Sequence, residues 1–336
     1  MAITIKDVAK AANVSVATVS RVLNKHNNVS DETVEKVNKV MDQLGYSPNT
    51  LGRDLRKSET KRILAIIAGT EQSFYSDVLK GMDEAAFAQG YDILIATTHD
   101  DPEHEMHLLK MLMSHSVDGA VLLGAKQEAS TISKLAESNN IALCLERMEG
   151  CRVLTVSIDN VKAGRDAVNY LISKGSTRIG LISTEARSQS SVDREKGYRL
   201  ALEEHGIPYD ESLVYFGSYE SESGFAGCKH LLELKDPPTA IFSISDMVAI
   251  GAMNYAISKG IKIGKELLFF GFDNIAYSHI FVPHLSTVEQ PCYLQGKLVI
   301  EKLIGNMRSD VPDKSVYLLP HSLVLRESTG DQPTVI

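Results

Sequence analysis

Cysteine is scarce in this sequence: four residues in 336, Cys144, Cys151, Cys228 and Cys292, with no C-x-x-C spacing among them. A chain of this length has enough apolar surface to fold without staples, so the thiols are expected to be reduced. No apolar run approaches the length of a membrane span, and the start "MAITIKDVAK" lacks the apolar centre of a signal peptide. A cytoplasmic protein is the expectation. Also missing are a G-x-S-x-G nucleophile elbow, a P-loop, and a glycine fingerprint opening a helix after a strand. An enzyme would rest on fold analogy alone, and neither catalytic residues nor a cofactor are expected. The tail "GDQPTVI" carries no heptad, so nothing in it points to a coiled-coil tetramer.

What the sequence holds is unevenly distributed. Hydrophobic residues make up 43%, sufficient for two or three domains with their own cores. The net charge of −8 argues against a nucleic-acid binder until it is divided. Residues 1–62 carry eleven Lys/Arg against seven Asp/Glu, leaving 24 basic and 36 acidic residues for the remainder. A small basic head, able to meet phosphate, is joined to an acidic body that should avoid it.

The head reads as three short helices. Thr4 and Asp7 have capping-box spacing around Ile5, which places Val8, Ala9 and Ala12 on one face. Asn13 suits a left-handed stop, and Ser15 can cap a second helix that starts at Val16 and turns Val19, Val22 and Leu23 inward. Ser30 can cap a third, with Asp31 and Glu32 at its positive end and Val34, Val37, Met41 and Leu44 on its buried stripe before Gly45. In "NVSVATVSRVLN" this leaves Val16, Ala17, Thr18, Ser20, Arg21 and Asn24 outside. Small residues let such a helix enter a major groove, hydroxyls can bind phosphates, and Arg21 can reach a guanine edge. The plainer alternative is a helical cap with a solvated arginine.

The stretch "ITIKDVAKAANVSVATVSRVLNKHNNVSDETVEKVNKVMDQLGYSPN" resembles the helix-turn-helix headpiece of the lactose-repressor/galactose-repressor (LacI/GalR) family of bacterial transcription regulators, and the resemblance continues through the whole chain. It implies a DNA-binding headpiece over 1–46, with base edges read by Val16, Ala17 and Arg21 and the backbone held by Ser15, Thr18, Ser20 and Asn24. Thr4, Val29, Ser30, Tyr46 and Asn49 are further positions implied at the DNA. Next, "SPNTLGRDLRKSET" resembles the family's hinge, residues 47–60, a short helix that forms on the operator and inserts a leucine, here Leu55, into the minor groove. Gly52 stands where the family usually has alanine, and glycine is about 1 kcal/mol worse in a helix. A hinge that is harder to fold is expected; without the family, the segment reads as a Pro/Gly linker.

From Ile63 onward, the short apolar runs "ILAIIA", "YDILIA", "DGAVLL", "IALCL", "RIGLIS", "TAIFSI" and "ELLFFGF" alternate with helix patterns, the mark of an α/β fold with parallel strands. "ISKG" recurs at 172–175 and 257–260, ending two helices, and suggests two similar lobes. Ligands in such sheets sit beyond the carboxyl ends of strands. The loops there offer Ser73, Phe74 and Tyr75, then Glu146, Arg194, Tyr219, Asp246, Asp273 and Gln290. Aromatics beside carboxylates and an arginine suit a polyhydroxylated ligand. Each also fits a plainer role: Asp246 and Gln290 as helix caps, Phe74 and Tyr75 as core, Arg194 as surface.

The resemblance implies a two-lobed, periplasmic-binding-protein-like α/β core over 61–336, its N-lobe about 61–160 plus 291–320 and its C-lobe about 161–290 plus 321–336. The family's effector pocket uses positions matching Tyr75, Arg194, Tyr219, Asp246, Asp273 and Gln290. Where the family commonly has Asn-Pro-Phe-Phe this chain has "QSFYS", and its usual Val-Asp-Arg is Leu145-Glu146-Arg147, which leaves the effector open. "SFYSDVLKG", "MHLLKMLMSHSVDGAVLLG" and "YLLPHSLVLREST" resemble the catabolite control protein A branch, whose members are co-activated by a phosphorylated carrier protein. That branch docks its partner through Tyr-Asp-x-Gly followed by arginines. Here Tyr293-Leu294-Gln295-Gly296 is followed by Glu301, so a small effector is expected instead. His99, His104 and His107 offer a ligand-like spacing, but Asp101-Pro102-Glu103 reads as an ordinary helix start and no metal site is expected. The resemblance thus implies a homodimeric regulator of carbohydrate metabolism genes, usually a repressor. It would bind a pseudo-palindromic double-stranded operator under control of a sugar or sugar derivative. The alternatives are control by a phosphoprotein, and a soluble sugar-binding protein whose basic head only dimerises.

Overall fold

The computed structural model describes residues 3–23, 28–46, 59–69, 74–186 and 188–332. It divides into two units, Met1–Thr60 and Lys61–Ile336.

In the first unit the helices are α1 (Ile5–Ala11), α2 (Val16–Leu23) and α3 (Asp31–Leu44). The Thr4 amide and hydroxyl both donate to Asp7 Oδ2, at 2.9 and 2.7 Å, which fixes the start of α1. Asn13, with φ of 52°, ends it, and Ser15 Oγ accepts from the Thr18 amide at 3.1 Å to open α2. Ser30 stands at the cap position of α3, but its hydroxyl pairs with Thr33 Oγ1 at 2.9 Å and makes no hydrogen bond to the helix backbone. The expected side-chain cap is therefore corrected to a hydroxyl pair on the helix surface. Val8, Ala12, Val19 and Val37 are fully buried at the centre of the bundle, with Val29, Leu44 and Tyr46 packed around them.

The second unit begins with β1 (Arg62–Ile67), α4 (Tyr75–Ala88), β2 (Asp92–Thr97), α5 (Pro102–Met113), β3 (Gly119–Leu123), α6 (Ala129–Leu135), β4 (Ile141–Leu145) and β5 (Leu154–Ile158). A second set follows: α7 (Asn160–Ser173), β6 (Ile179–Thr184), α8 (Gln189–Glu204), β7 (Val214–Gly217), α9 (Ser221–Leu232), β8 (Ala240–Ser243), α10 (Asp246–Ser258), β9 (Leu268–Asp273) and β10 (Ser286–Glu289). The chain then returns through α11 (Cys292–Met307) and β11 (Val316–Leu319) and ends with β12 (Ser322–Val324). One sheet has the order β2-β1-β3-β4-β5-β11 and the other β7-β6-β8-β9-β10-β12. Their neighbours are parallel, except that β12 runs antiparallel to β10. The two lobes thus share one strand order, each with a switch point between its first and third strands, where crevices form at the carboxyl ends.

Helices cover both faces of each sheet, which is why β3 and β4 read as unbroken apolar runs and are buried throughout. Gly175 and Gly260, at φ of 92° and 74°, end α7 and α10 in the "ISKG" repeats. Three helix pairs approach backbone to backbone through glycine. A Cβ at Gly296 on α11 would lie 2.0 Å from the Val78 carbonyl of α4, one at Gly197 on α8 2.3 Å from that of Val161 on α7, and one at Gly251 on α10 1.8 Å from that of Ser221 on α9. Among the described residues, no helix is long and apolar enough to cross a membrane.

Candidate functional site

Between the two lobes of the second unit lies a cavity enclosing about 630 Å³ of unfilled space, solvent at its mouth included. The first lobe supplies Phe74, Tyr75, Asp100, Lys126 and Glu146 to its lining, and the second Ser188, Ser190, Arg194, Tyr219, Asp273 and Gln290. Most stand just past the carboxyl end of a strand. Leu145 ends β4 at φ of 77° and Asp273 ends β9 at 109°, so the fourth strand of each lobe finishes in a backbone conformation that L-residues disfavour. Strain of that kind persists where a surrounding site over-determines it.

Arg194 organises the second lobe's side. It is 5% exposed, donates through Nε to Asn160 Oδ1 at 3.0 Å and through Nη1 to the Ile244 carbonyl, and lies 3.6 Å over the Phe272 ring. Its Nη2 stands 3.6 Å from Asp273 Oδ1, which also accepts from Gln290 Nε2 at 2.7 Å. Burial pushes Asp273 up to about 6 although Arg194 and Gln290 pull it down. Tyr219 shares a hydrogen bond with Ser188 Oγ at 2.8 Å. On the opposite wall, the Tyr75 hydroxyl donates to the Leu123 carbonyl at 3.1 Å, and Lys126 Nζ pairs with Asp100 Oδ1 at 2.7 Å. Glu146 accepts from the Ser190 amide at 3.3 Å, a link between lobes, and burial raises its carboxyl above the usual range. Fixed acceptors, a buried guanidinium and aromatic rings can orient hydroxyl groups and cover the apolar face of a small ring.

The structure brings together Phe74, Tyr75, Glu146, Arg194, Tyr219, Asp273 and Gln290; Ser73 lies outside the described residues. It places Asp246 elsewhere. The Asp246 carboxylate accepts from the Thr287 hydroxyl at 2.6 Å, the Ile275 amide at 3.0 Å and the Ser278 hydroxyl, joining α10 to β10 and to the turn that precedes it. Neither does it cap α10: Ser245 holds that position and accepts from the Val248 amide at 3.4 Å. Burial, then the charge of Asp273, lifts Asp246 to about 7. The sequence reading missed Lys126, Asp100, Ser188 and Ser190. The strand-end rule that found the others applies to Lys126, three residues past β3, and to Ser188 in the loop after β6. Among the described residues, no group of three or more His, Cys, Asp or Glu could hold a metal ion; the His104 ring lies 5.9 Å from that of His99 and 6.3 Å from that of His107.

In the first unit, α2 leaves Val16 42% exposed, with Ala17 and Arg21 exposed beside it and Thr18 and Ser20 half-buried. Ser15, Thr4 and Ser30 are exposed at helix starts, whereas Val29 and Tyr46 pack partly onto the bundle core. Asn24, Asn49, Gly52 and Leu55 lie outside the described residues.

Two family models match in order along the chain: bacterial regulatory proteins of the lacI family over residues 4–49, and periplasmic binding proteins and sugar binding domain of the LacI family over residues 60–326. Catabolite control protein A of Priestia megaterium is 33% identical over 331 residues, covering 98% of this chain and 100% of that protein. The transcriptional repressor CytR of Escherichia coli (strain K12) is 33% identical over 339 residues, covering 99% and 98%. The fold is that of the lac repressor dimer bound to operator and the anti-inducer ONPF, with a TM-score of 0.89 at 24% identity over 98% of this chain and 99% of that one. The transcriptional regulator CelR in complex with cellobiose matches at a TM-score of 0.73 and 27% identity, over 97% and 99%. From end to end, headpiece and two-lobed core alike, the chain belongs to the LacI family of bacterial transcription regulators.

Proposed function

We propose that this protein acts in the cytoplasm as a homodimeric, operator-binding regulator of carbohydrate genes, a repressor in its usual mode, whose hold on DNA is set by a small polyhydroxylated effector. The carrying observation is the convergence of buried polar and charged groups from both lobes on one cavity, Glu146 from one side and Arg194, Asp273 and the neutral Gln290 from the other. A ligand that touches both lobes has differential affinity for their open and closed arrangements, which is what control by an effector requires. Solved relatives described as a cellobiose complex and as an operator and anti-inducer complex support the two halves of the proposal.

In the headpiece, Arg21 serves as the main polar reader of a base edge, Val16 and Ala17 give apolar contact, and Ser15, Thr18, Ser20, Thr4 and Ser30 hold phosphates. Asn24, Asn49, Gly52 and the Leu55 wedge enter by resemblance alone. Phe87, Ile95, Ile280 and Val282, 80%, 53%, 64% and 69% exposed, offer apolar surface for pairing of two second units. On α11 the Tyr293 hydroxyl donates to Glu84 at 2.6 Å, and Glu301 stands 4.0 Å from Lys297. Glu301, standing where that branch has an arginine and drawing on the charge of Lys297, supports a small effector over a phosphoprotein. Regulation is the activity proposed, with no catalytic residues.

Anisotropy titration of operator fragments at several salt concentrations, with and without a sugar panel, tests this. Sequence-specific binding that weakens steeply with salt is expected, one sugar should shift it, and Arg194→Ala should remove the shift while DNA binding stays. Absence of any sequence-specific complex in every arm would make the basic head a dimerisation module.

A further inference from the structure

A second cavity opens where the first turns of α4 and α11 face the ends of β9 and β10, enclosing about 1080 Å³ of unfilled space with solvent at its mouth included. It shares Phe74, Asp273 and Gln290 with the interlobe cavity, so the two adjoin at these side chains. Its charge is one-sided. Asp77, Asp273 and Glu289 bring carboxylates, and no Lys, Arg or His is among the described residues that line it. Glu289 accepts from Asn274 Nδ2 at 3.2 Å and the Ser322 hydroxyl at 2.8 Å, and Asp273 faces Arg194 from the cleft side. Asp77 is exposed and has no ion-pair partner among the described residues.

Gln290 adds an independent sign. It is 5% exposed, its Nε2 is committed to Asp273, and its Oε1 has no hydrogen-bond partner among the described residues. A buried acceptor left unpaired in a native structure asks for a donor. Acceptors in excess, no cationic side chain among the described lining residues, and the aromatic side chains of Phe74, Tyr277 and Tyr293 together match one chemistry, an organic ammonium, which has donors and no acceptor and is attracted to ring faces. An anion would meet only like charge.

We propose that this second cavity is the subsite for a protonated amine. The effector is then an amine-bearing, hydroxylated molecule whose ammonium group sits against Asp77 and Gln290 while its ring occupies the cleft. This rests on the interlobe cavity being the effector site.

Calorimetric titration of the full chain with glucosamine, glucose and glucose 6-phosphate presents one ring with a cation, no charge and an anion. Glucosamine should bind about tenfold tighter than glucose, as one partly screened ion pair provides, and glucose 6-phosphate more weakly than either. The amine's advantage should vanish in Asp77→Asn and shrink at high salt. Glucosamine failing to bind, binding no tighter than glucose, or keeping its advantage in Asp77→Asn overturns the proposal. If glucose binds in an Arg194-dependent way and the amine adds nothing, the subsite falls and the effector cleft stands. If Asp77-dependent amine binding survives Arg194→Ala undiminished, the cleft assignment falls instead.

Discussion

Asp246 and Asp273 look alike in the sequence, each an aspartate at a strand-to-helix or strand-to-loop junction, yet they do different work. Asp273 faces the cleft; Asp246 is held by Thr287, Ser278 and Ile275, which stand 29 to 41 residues further along the chain. Which way a carboxylate points depends on those distant donors, so local pattern could not separate the two. Asp246→Ala would leave two hydroxyls and an amide unpaired in the interior, and a loss of about 3 kcal/mol or more is expected by urea denaturation. Burial lifts both carboxyls above their usual 3.8, to about 7 and about 6. The folded chain then keeps protons that the unfolded chain releases, so their contribution to stability is complete below about pH 4 and is lost as pH rises through the folded values. Stability should therefore decline between about pH 4 and 7 on account of these groups, and Asp246→Asn should flatten the upper part of that decline. In the headpiece, Arg21→Ala should cost about 1–3 kcal/mol on the preferred operator and relax selection at one position per half-site. An unchanged preferred sequence in a binding-site selection would remove Arg21 from base readout.

The helices and most strands were legible because a sheet covered on both faces demands continuous apolar runs, and those runs stand out. Strands β5 and β10 do not stand out, being Leu-Thr-Val-Ser-Ile and Ser-Thr-Val-Glu. They are buried all the same, Glu289 apart, because their hydroxyls find partners: Ser157 Oγ donates to the Leu145 carbonyl at 2.7 Å and Thr287 Oγ1 to Asp246. The reciprocal glycine contacts were invisible for another reason, since a glycine inside a helix reads only as a weak helix former until its neighbour is known. Gly164 on α7 is the instructive case, because a Cβ there would lie 2.6 Å from the Arg194 carbonyl on α8. Gly164→Ala should spread that helix pair and displace Arg194, lowering effector affinity by tenfold or so, about 1.4 kcal/mol, with operator affinity little changed. Equal effector affinity by calorimetry would show that the guanidinium is positioned by its own hydrogen bonds alone.

For the whole molecule, the charge division and the twofold recurrence of one strand pattern carried most of the architecture, while the cleft's membership depended on which loops the two lobes turn toward each other. Lys126 and Ser188 were missed on that account. If effector and operator are coupled through the lobes, the operator must change effector affinity by the factor by which effector changes operator affinity, a ratio calorimetry measures directly with and without DNA. Phe87→Glu should weaken self-association, visible as a concentration-dependent shift in sedimentation, and with it the affinity for a two-half-site operator.

The lobes are joined at three places, through Asp159, through Gln290 and Pro291, and through Pro320 and His321. Links of one or two residues hold the sheets at nearly fixed separation, so the lobes have almost no freedom to slide or part. What remains is a bend about the line of the links, a single mechanical coordinate. Gln290, which hydrogen-bonds Asp273 in the cleft, is itself part of one link. A residue that lines the cleft is thus also a piece of the axle, and a change in its contacts acts on the one motion the body is free to make.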